Sequence, residues 1–148
     1  MAMHSTIEIG QPVEEVYGFF LDMEHSIVRT DPTVESVVKT TEGPLGTGTE
    51  FLIRQPVMGK VREQTMRVTA VDPNHRIDME AAFGPVRPQI YLTFDPTPGG
   101  TRVTMAGHSR PVGPFRLVPV LADRIGQRNW DRRLKLIKGV LEADSHER

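Results

Sequence analysis

The chain has 148 residues, 18 Lys and Arg against 19 Asp and Glu, 38% hydrophobic residues and no cysteine. That length fits one domain spanning residues 1–148 that can bury a core without covalent staples. Disulfides, thiol catalysis and thiolate metal sites are excluded, and the balanced charge gives no overall attraction to nucleic acid or to a membrane.

Met1-Ala2-Met3-His4 has no basic segment followed by an apolar run, so no signal peptide is expected there. The apolar stretches are far shorter than the roughly 20 residues that span a bilayer. The expectation is a soluble, cytoplasmic domain. Residues 6–9 alternate with period two and predict a strand. Gly10-Gln11-Pro12 then opens a helix, with Pro12 suited to its first position and Glu14 and Glu15 at its positive end. Val13, Val16, Tyr17 and Phe20 give that helix one apolar face. Residues 22–32 leave room for a short second helix.

From there strands follow one another at 34–39, 49–55, 61–71, 76–83, 89–94 and 102–107, separated by turn chemistry such as Asp72-Pro73-Asn74. Three alternate cleanly. Ile77, Met79, Ala81 and Phe83 share one face, as do Ile90, Leu92 and Phe94, and Val103, Met105 and Gly107. One apolar and one polar face mark an antiparallel sheet covered on a single side.

Residues 114–148 form the one helical pattern long enough to cover such a sheet, and Pro119 and Gly126 predict a kink or late start in it. Leu134, Ile137 and Leu141 are apolar, but earlier turns of the same stripe carry Gln127 and Asp123. A helix that packs tightly at its end and turns polar groups inward before that implies a hollow beneath it.

The order of strand, helix, run of strands and long terminal helix resembles the Bet v 1-like, or START-like, helix-grip fold of the SRPBCC superfamily. The chain is most similar to its polyketide cyclase/dehydrase and lipid-transport branch. The resemblance lies in Ile9-Gly10-Gln11-Pro12-Val13-Glu14-Glu15-Val16, in Glu42-Gly43-Pro44-Leu45-Gly46-Thr47-Gly48-Thr49, and in Val71-Asp72-Pro73-Asn74-His75-Arg76-Ile77. Phe94-Asp95-Pro96-Thr97-Pro98-Gly99-Gly100-Thr101-Arg102-Val103-Thr104 and the ending from Leu134 to Glu142 extend it. These are turns and packing positions, specific for fold and nearly silent on activity. Relatives often carry a tryptophan before a His-Pro or similar pair after the first helices; here that stretch is Ile27-Val28-Arg29-Thr30-Asp31-Pro32. The resemblance implies an α+β fold, a curved antiparallel sheet wrapped around the C-terminal helix with two short helices after the first strand. It also implies an apolar cavity between sheet and helix, whose occupants in the family are lipids, polyketides or other hydrophobic molecules.

Asp123, Gln127, Trp130 and Leu134 fall on one helix face. Under the cavity reading Trp130 and Leu134 are walls and Gln127 and Asp123 are polar contacts; the plainer alternative is a solvent end and an ordinary core tryptophan. Phe51, Met66, Met79, Phe83, Phe94 and Met105 supply a soft apolar lining from the sheet, though any single one is more often plain core. Arg54 and Arg67 sit where an inward side chain would anchor an oxyanion, but solvent is the better expectation for both.

Asp78 and Glu80 are expected as solvated strand residues near Arg102. His25 and His108 lie near element ends, where a pocket mouth could be. The histidines never recur at the spacing of a zinc motif, so neither metal nor other cofactor is expected. Arg124, Arg128, Arg132 and Lys135 line the helix face opposite Leu134. They could touch RNA, an acidic membrane or a protein partner, but with Asp131 able to pair with Lys135 they fit a solvated face better.

The leading expectation is a binder of a hydrophobic small molecule, lipid-like or aromatic. No nucleic acid or transmembrane segment is expected, and a homodimer stays open. An aromatase/cyclase or dehydratase is the alternative, with Asp123, His108 or Arg67 as candidates to move protons, and an interaction module using the basic helix face is the second.

Overall fold

The computed structural model describes residues 2–57, 59–82, 87–108 and 119–146; within them the side chains at 2, 3, 57, 119–126, 129 and 144–146 fall outside the description. The described elements run β1 (Ala2–Ile9), α1 (Val13–Leu21), α2 (Met23–Thr30), β2 (Ser36–Lys39), β3 (Glu50–Val57), β4 (Lys60–Asp72), β5 (Arg76–Ala82), β6 (Gln89–Thr97), β7 (Gly100–His108) and α3 (Pro119–His146). The seven strands form one sheet in the order β1-β7-β6-β5-β4-β3-β2. Every pairing is antiparallel.

The two-residue alternation sets which face is inward. Ile77, Met79 and Ala81 of β5, Leu92 and Phe94 of β6, and Val103 and Met105 of β7 are all buried. Phe83, assigned to the same stripe from its spacing, lies outside the described residues. A register shift between Val68 and Ala70 interrupts the long β4, and such a bulge bends a sheet and raises its twist. The inner face is thereby concave.

Several boundaries exceed what side-chain pattern reveals, because ladder hydrogen bonds rather than alternation define them. β1 begins at Ala2, paired with His108, although 2–5 carry no apolar rhythm. β6 and β7 run on until Thr97 meets Gly100. Gly100 has φ +156°, and a Cβ there would fall 2.1 Å from the carbonyl oxygen of Ile9. Only glycine lets this turn press against the β1–α1 junction. Pro12 stands just ahead of α1 rather than as its first helical residue. Pro119 is the first described residue of α3, a position where proline is tolerated, and the residues before it, where the sequence pattern begins at 114, lie outside the described residues.

α3 is fastened along β1. Gln127 Nε2 donates to the His4 carbonyl oxygen at 2.6 Å and its Oε1 accepts from the His4 N–H at 3.3 Å. Further along the helix, Lys138 Nζ reaches the Glu8 carbonyl at 2.7 Å, and Glu142 Oε1 accepts from the Gly10 N–H at 3.1 Å. The buried Gln11 side chain donates to the Leu141 carbonyl at 3.1 Å. Ser5 Oγ donates to Asp131, which also accepts from Gln127 at 3.0 Å. Asp131 therefore faces β1, and no Asp131–Lys135 pair forms among the described residues.

Between these ties Leu134, Ile137 and Leu141 enter the core with Val16, Tyr17 and Phe20 of α1. No helix among the described residues is long and apolar enough to cross a membrane. Leu134 is 1% exposed and fully packed. Leu134→Ala should therefore cost ~2–5 kcal/mol in urea denaturation; a loss well under that range would show the helix end to be loosely seated.

Candidate ligand-binding cavity

Among the described residues, fastening α3 along β1 leaves the concave face of β4–β6 partly unroofed, and hollows lie there. The outer is a cleft of about 610 Å³ between the α2–β2 loop, the β3–β4 hairpin, the start of β6 and the middle of α3. Its walls mix Met66, Ile90, Trp130 and Leu136 with Thr33, Gln55, Gln64, Asp31, Arg132 and Arg133. The inner is a small pocket of about 70 Å³, walled by Phe19, Phe20, Met23 and Ile27 of the early helices, by Met66, Met79, Leu92 and Met105 of the sheet, and by Trp130 and Ile137. Thr30, Met66, Ile90, Trp130 and Arg133 border both. A polar-rimmed mouth thus shares its back wall with an apolar end chamber.

The helix stripe that faces this space is Trp130, Arg133 and Ile137. It is rotated from the stripe inferred from polarity, since Gln127 turns to His4 and Leu134 is sealed in the core. Phe51 and Phe94 border neither hollow; Phe94 meets Tyr17 and Phe20 in T-shaped contacts, each with ring centroids 5.3 Å away. The Asp123 and Arg124 side chains lie outside the described residues. Met66, Met79, Met105 and Trp130 do border the cavity.

Arg54 and Arg67 point outward, half exposed, each 3.8 Å from a carboxylate (Glu63 and Glu80). Asp78 pairs with Arg76 at 2.6 Å, and Arg102 goes to Glu8 at 3.1 Å, so the expected neighbourhood of Asp78 and Glu80 with Arg102 does not form. His25 and His108 are both exposed and away from the hollows; hydrogen bonding to Asp22 and that carboxylate's charge push the His25 pKa up. Arg128, Arg132 and Lys135 are exposed on the outer side of α3, with Arg132 reaching the rim of the cleft.

Sequence reasoning missed the ion pair at the centre of the mouth. Arg133 Nη2 donates to Asp31 Oδ2 at 2.7 Å, joining α3 to the α2–β2 loop. Asp31 Oδ1 accepts from the Thr33 N–H at 3.0 Å and from its hydroxyl at 2.6 Å. Burial opposes ionisation of Asp31, but the Thr33 hydroxyl and N–H, then Arg133, outweigh it and hold the pKa below the usual carboxylate value. The available signal was Arg133 lying three residues after Trp130 and four before Ile137, hence on their face.

Trp130 is seated by a missing side chain. A Cβ at Gly107 would lie 2.8 Å from the Trp130 ring and 2.3 Å from the Gln89 carbonyl oxygen. The indole rests on bare β7 backbone. Elsewhere, the buried Tyr17 hydroxyl has no hydrogen-bond partner among the described residues, and burial, then the negative charge of Asp72, raise its pKa; it borders neither hollow.

The sequence matches the family model described as polyketide cyclase / dehydrase and lipid transport over residues 2–142. The chain belongs to that family. Its fold is the Bet v 1-like helix grip. TTHA0849 from Thermus thermophilus is 23% identical with a TM-score of 0.81, covering 98% of this chain and 99% of that one. Ara h 8.0201 is 15% identical with a TM-score of 0.75 over 97% and 98% of the two chains. NE0264 from Nitrosomonas europaea is 14% identical with a TM-score of 0.77 over 99% and 97%. No curated protein matches the sequence. For this member of the polyketide cyclase / dehydrase and lipid transport family, the neighbours establish the fold.

Two outcomes follow. Gly107→Ala should destabilise by ~1–3 kcal/mol through overpacking and shift the Trp130 emission; unchanged stability and emission would refute the seating of the indole. Because the folded-state pKa of Asp31 is lowered, its stabilising contribution is complete above the ordinary carboxylate pKa of about 3.9 and is lost as pH falls through and below it. The urea midpoints of wild type and Asp31→Asn should therefore differ at neutral pH and converge as acidification carries the solution below the ordinary carboxylate range. A gap that stays constant with pH would contradict this.

Proposed function

We propose that the chain binds a hydrophobic small molecule, lipid-like or aromatic, in the cavity between the sheet and α3. The observation that carries this reading is the pairing of the two hollows, an apolar pocket that shares Thr30, Met66, Ile90, Trp130 and Arg133 with an amphipathic cleft of about 610 Å³. Cavities of a few hundred Å³ lined mainly by apolar side chains, with few polar groups, are the ordinary form of small-molecule sites. Met66, Met79 and Met105 suit such a role, since an unbranched thioether adapts to guests of different shape. Trp130 supplies a rigid wall common to both hollows. The family's description, which includes lipid transport, agrees with this reading.

The same description includes cyclase and dehydrase chemistry. Proton transfer near neutrality needs a side chain that titrates there. Among the described residues, the charged groups bordering the hollows are Asp31, Arg132 and Arg133, and neither histidine nor tyrosine nor lysine joins them. Asp31 is held ionised by its partners, which makes it a weak base. A binding role fits this set better than acid–base catalysis.

Trp130 is the sole tryptophan, so its emission reports on the cavity wall. Titration with fatty acids, flavonoids and aromatic polyketides should give a saturable shift or quench with at least one class. A flat response across all three contradicts the proposal.

A further inference from the structure

The cavity is not uniformly greasy. Arg133 borders both hollows and is the one charged residue among the described walls of the inner pocket. A guanidinium carries five N–H donors, and Arg133 makes one hydrogen bond among the described residues, to Asp31 Oδ2 at 2.7 Å. Asp31 Oδ1 is taken twice by Thr33, so the carboxylate meets Arg133 through a single oxygen and not as a two-oxygen fork. The rest of the guanidinium's donor capacity stays available at the junction of the two hollows.

Charge at the mouth points the same way. Arg133 is matched by Asp31, and the exposed Arg132 at the rim adds a second positive charge, so the described lining residues of the mouth carry one net positive charge. The other polar lining groups, such as Thr30, Thr33, Gln55 and Gln64, are neutral. A neutral guest would leave that charge without an added partner, whereas a monoanion would complete it.

We infer that the ligand is an amphipathic monocarboxylate, its apolar end in the inner pocket and its carboxylate on Arg133, with Asp31 holding the guanidinium in place. The inference rests on the cavity reading above and adds the head group. Asp31 and Thr33 act as positioning residues, because they fix Arg133 and leave the incoming oxygens to bind the remaining N–H groups. The carboxylate meets the protein where the apolar chamber gives way to the open cleft, so its outer oxygen keeps contact with water.

The test is isothermal calorimetry on the full chain with matched pairs, decanoic acid against decanol and 2-naphthoic acid against 2-naphthalenemethanol. The acid should bind about tenfold or more tightly than its alcohol in at least one pair, as a charge-assisted hydrogen bond provides. That preference should shrink as salt rises and disappear in Arg133→Gln. Arg133→Lys, which keeps the charge, should retain part of it and serves where the glutamine variant does not fold. Alcohol and acid binding equally in wild type overturns the head-group assignment while leaving the cavity reading intact. A preference that persists undiminished in Arg133→Gln also overturns it. No binding of either member of either pair overturns the inference together with the cavity reading beneath it.

Discussion

A helix is about 10–12 Å across, while seven strands set about 4.8 Å apart extend roughly 29 Å along the curve of a sheet. One helix cannot roof such a surface, and where it is anchored decides which part stays open. Here the anchor is β1, at one edge of the sheet, through the Gln127–His4, Lys138–Glu8, Glu142–Gly10 and Gln11–Leu141 hydrogen bonds. Leu134, Ile137 and Leu141 then seal the core beneath the C-terminal half of the helix. Among the described residues, the remainder that α3 does not cover is the concave surface of β4–β6, closed at one end by α1 and α2 and open beside the α2–β2 loop.

The inner surface left by that arrangement is held by two unlike devices. Trp130 lies on the bare backbone of Gly107, which brings a large aromatic ring flush with the sheet without closing the space. Arg133 spans the mouth to Asp31, whose second oxygen is fixed by Thr33. The first is a steric fit and the second an electrostatic one. They lie one turn apart on α3, so a guest touching the indole is within reach of the guanidinium. A protein that merely needed a stable core would gain more from apolar packing at 133 than from a half-buried ion pair, whose desolvation offsets much of its attraction.

Most of the fold was legible from the sequence because strand alternation and turn chemistry are local. Ile77, Met79 and Ala81, Leu92 and Phe94, and Val103 and Met105 fall on the buried face that their spacing indicates. The strand ends were not legible, since Ala2 and His108 belong to the sheet through ladder hydrogen bonds that leave no mark in side-chain pattern. The site was legible only in kind. Polarity on the helix points to Gln127, yet a glutamine amide can satisfy a strand backbone as readily as a ligand, and nothing in the sequence separates the two. Asp31 and Arg133 are about a hundred residues apart, and their meeting depends on where β1 holds the helix. Phe94 shows the opposite error, a large aromatic on the inward face that meets other aromatics and so fills space that it was expected to line.

The space between sheet and α3 can be probed through its methionines. Met23, Met66, Met79 and Met105 all border the inner pocket, and their methyl groups give separate NMR signals when carbon-13 labelled. On addition of decanoic acid the account predicts that these four methyl resonances move together and saturate, with transferred contacts to the acyl chain. Methyl signals that stay fixed at saturating ligand, with no contacts to the chain, would contradict it and leave the hollow an unoccupied by-product of the grip.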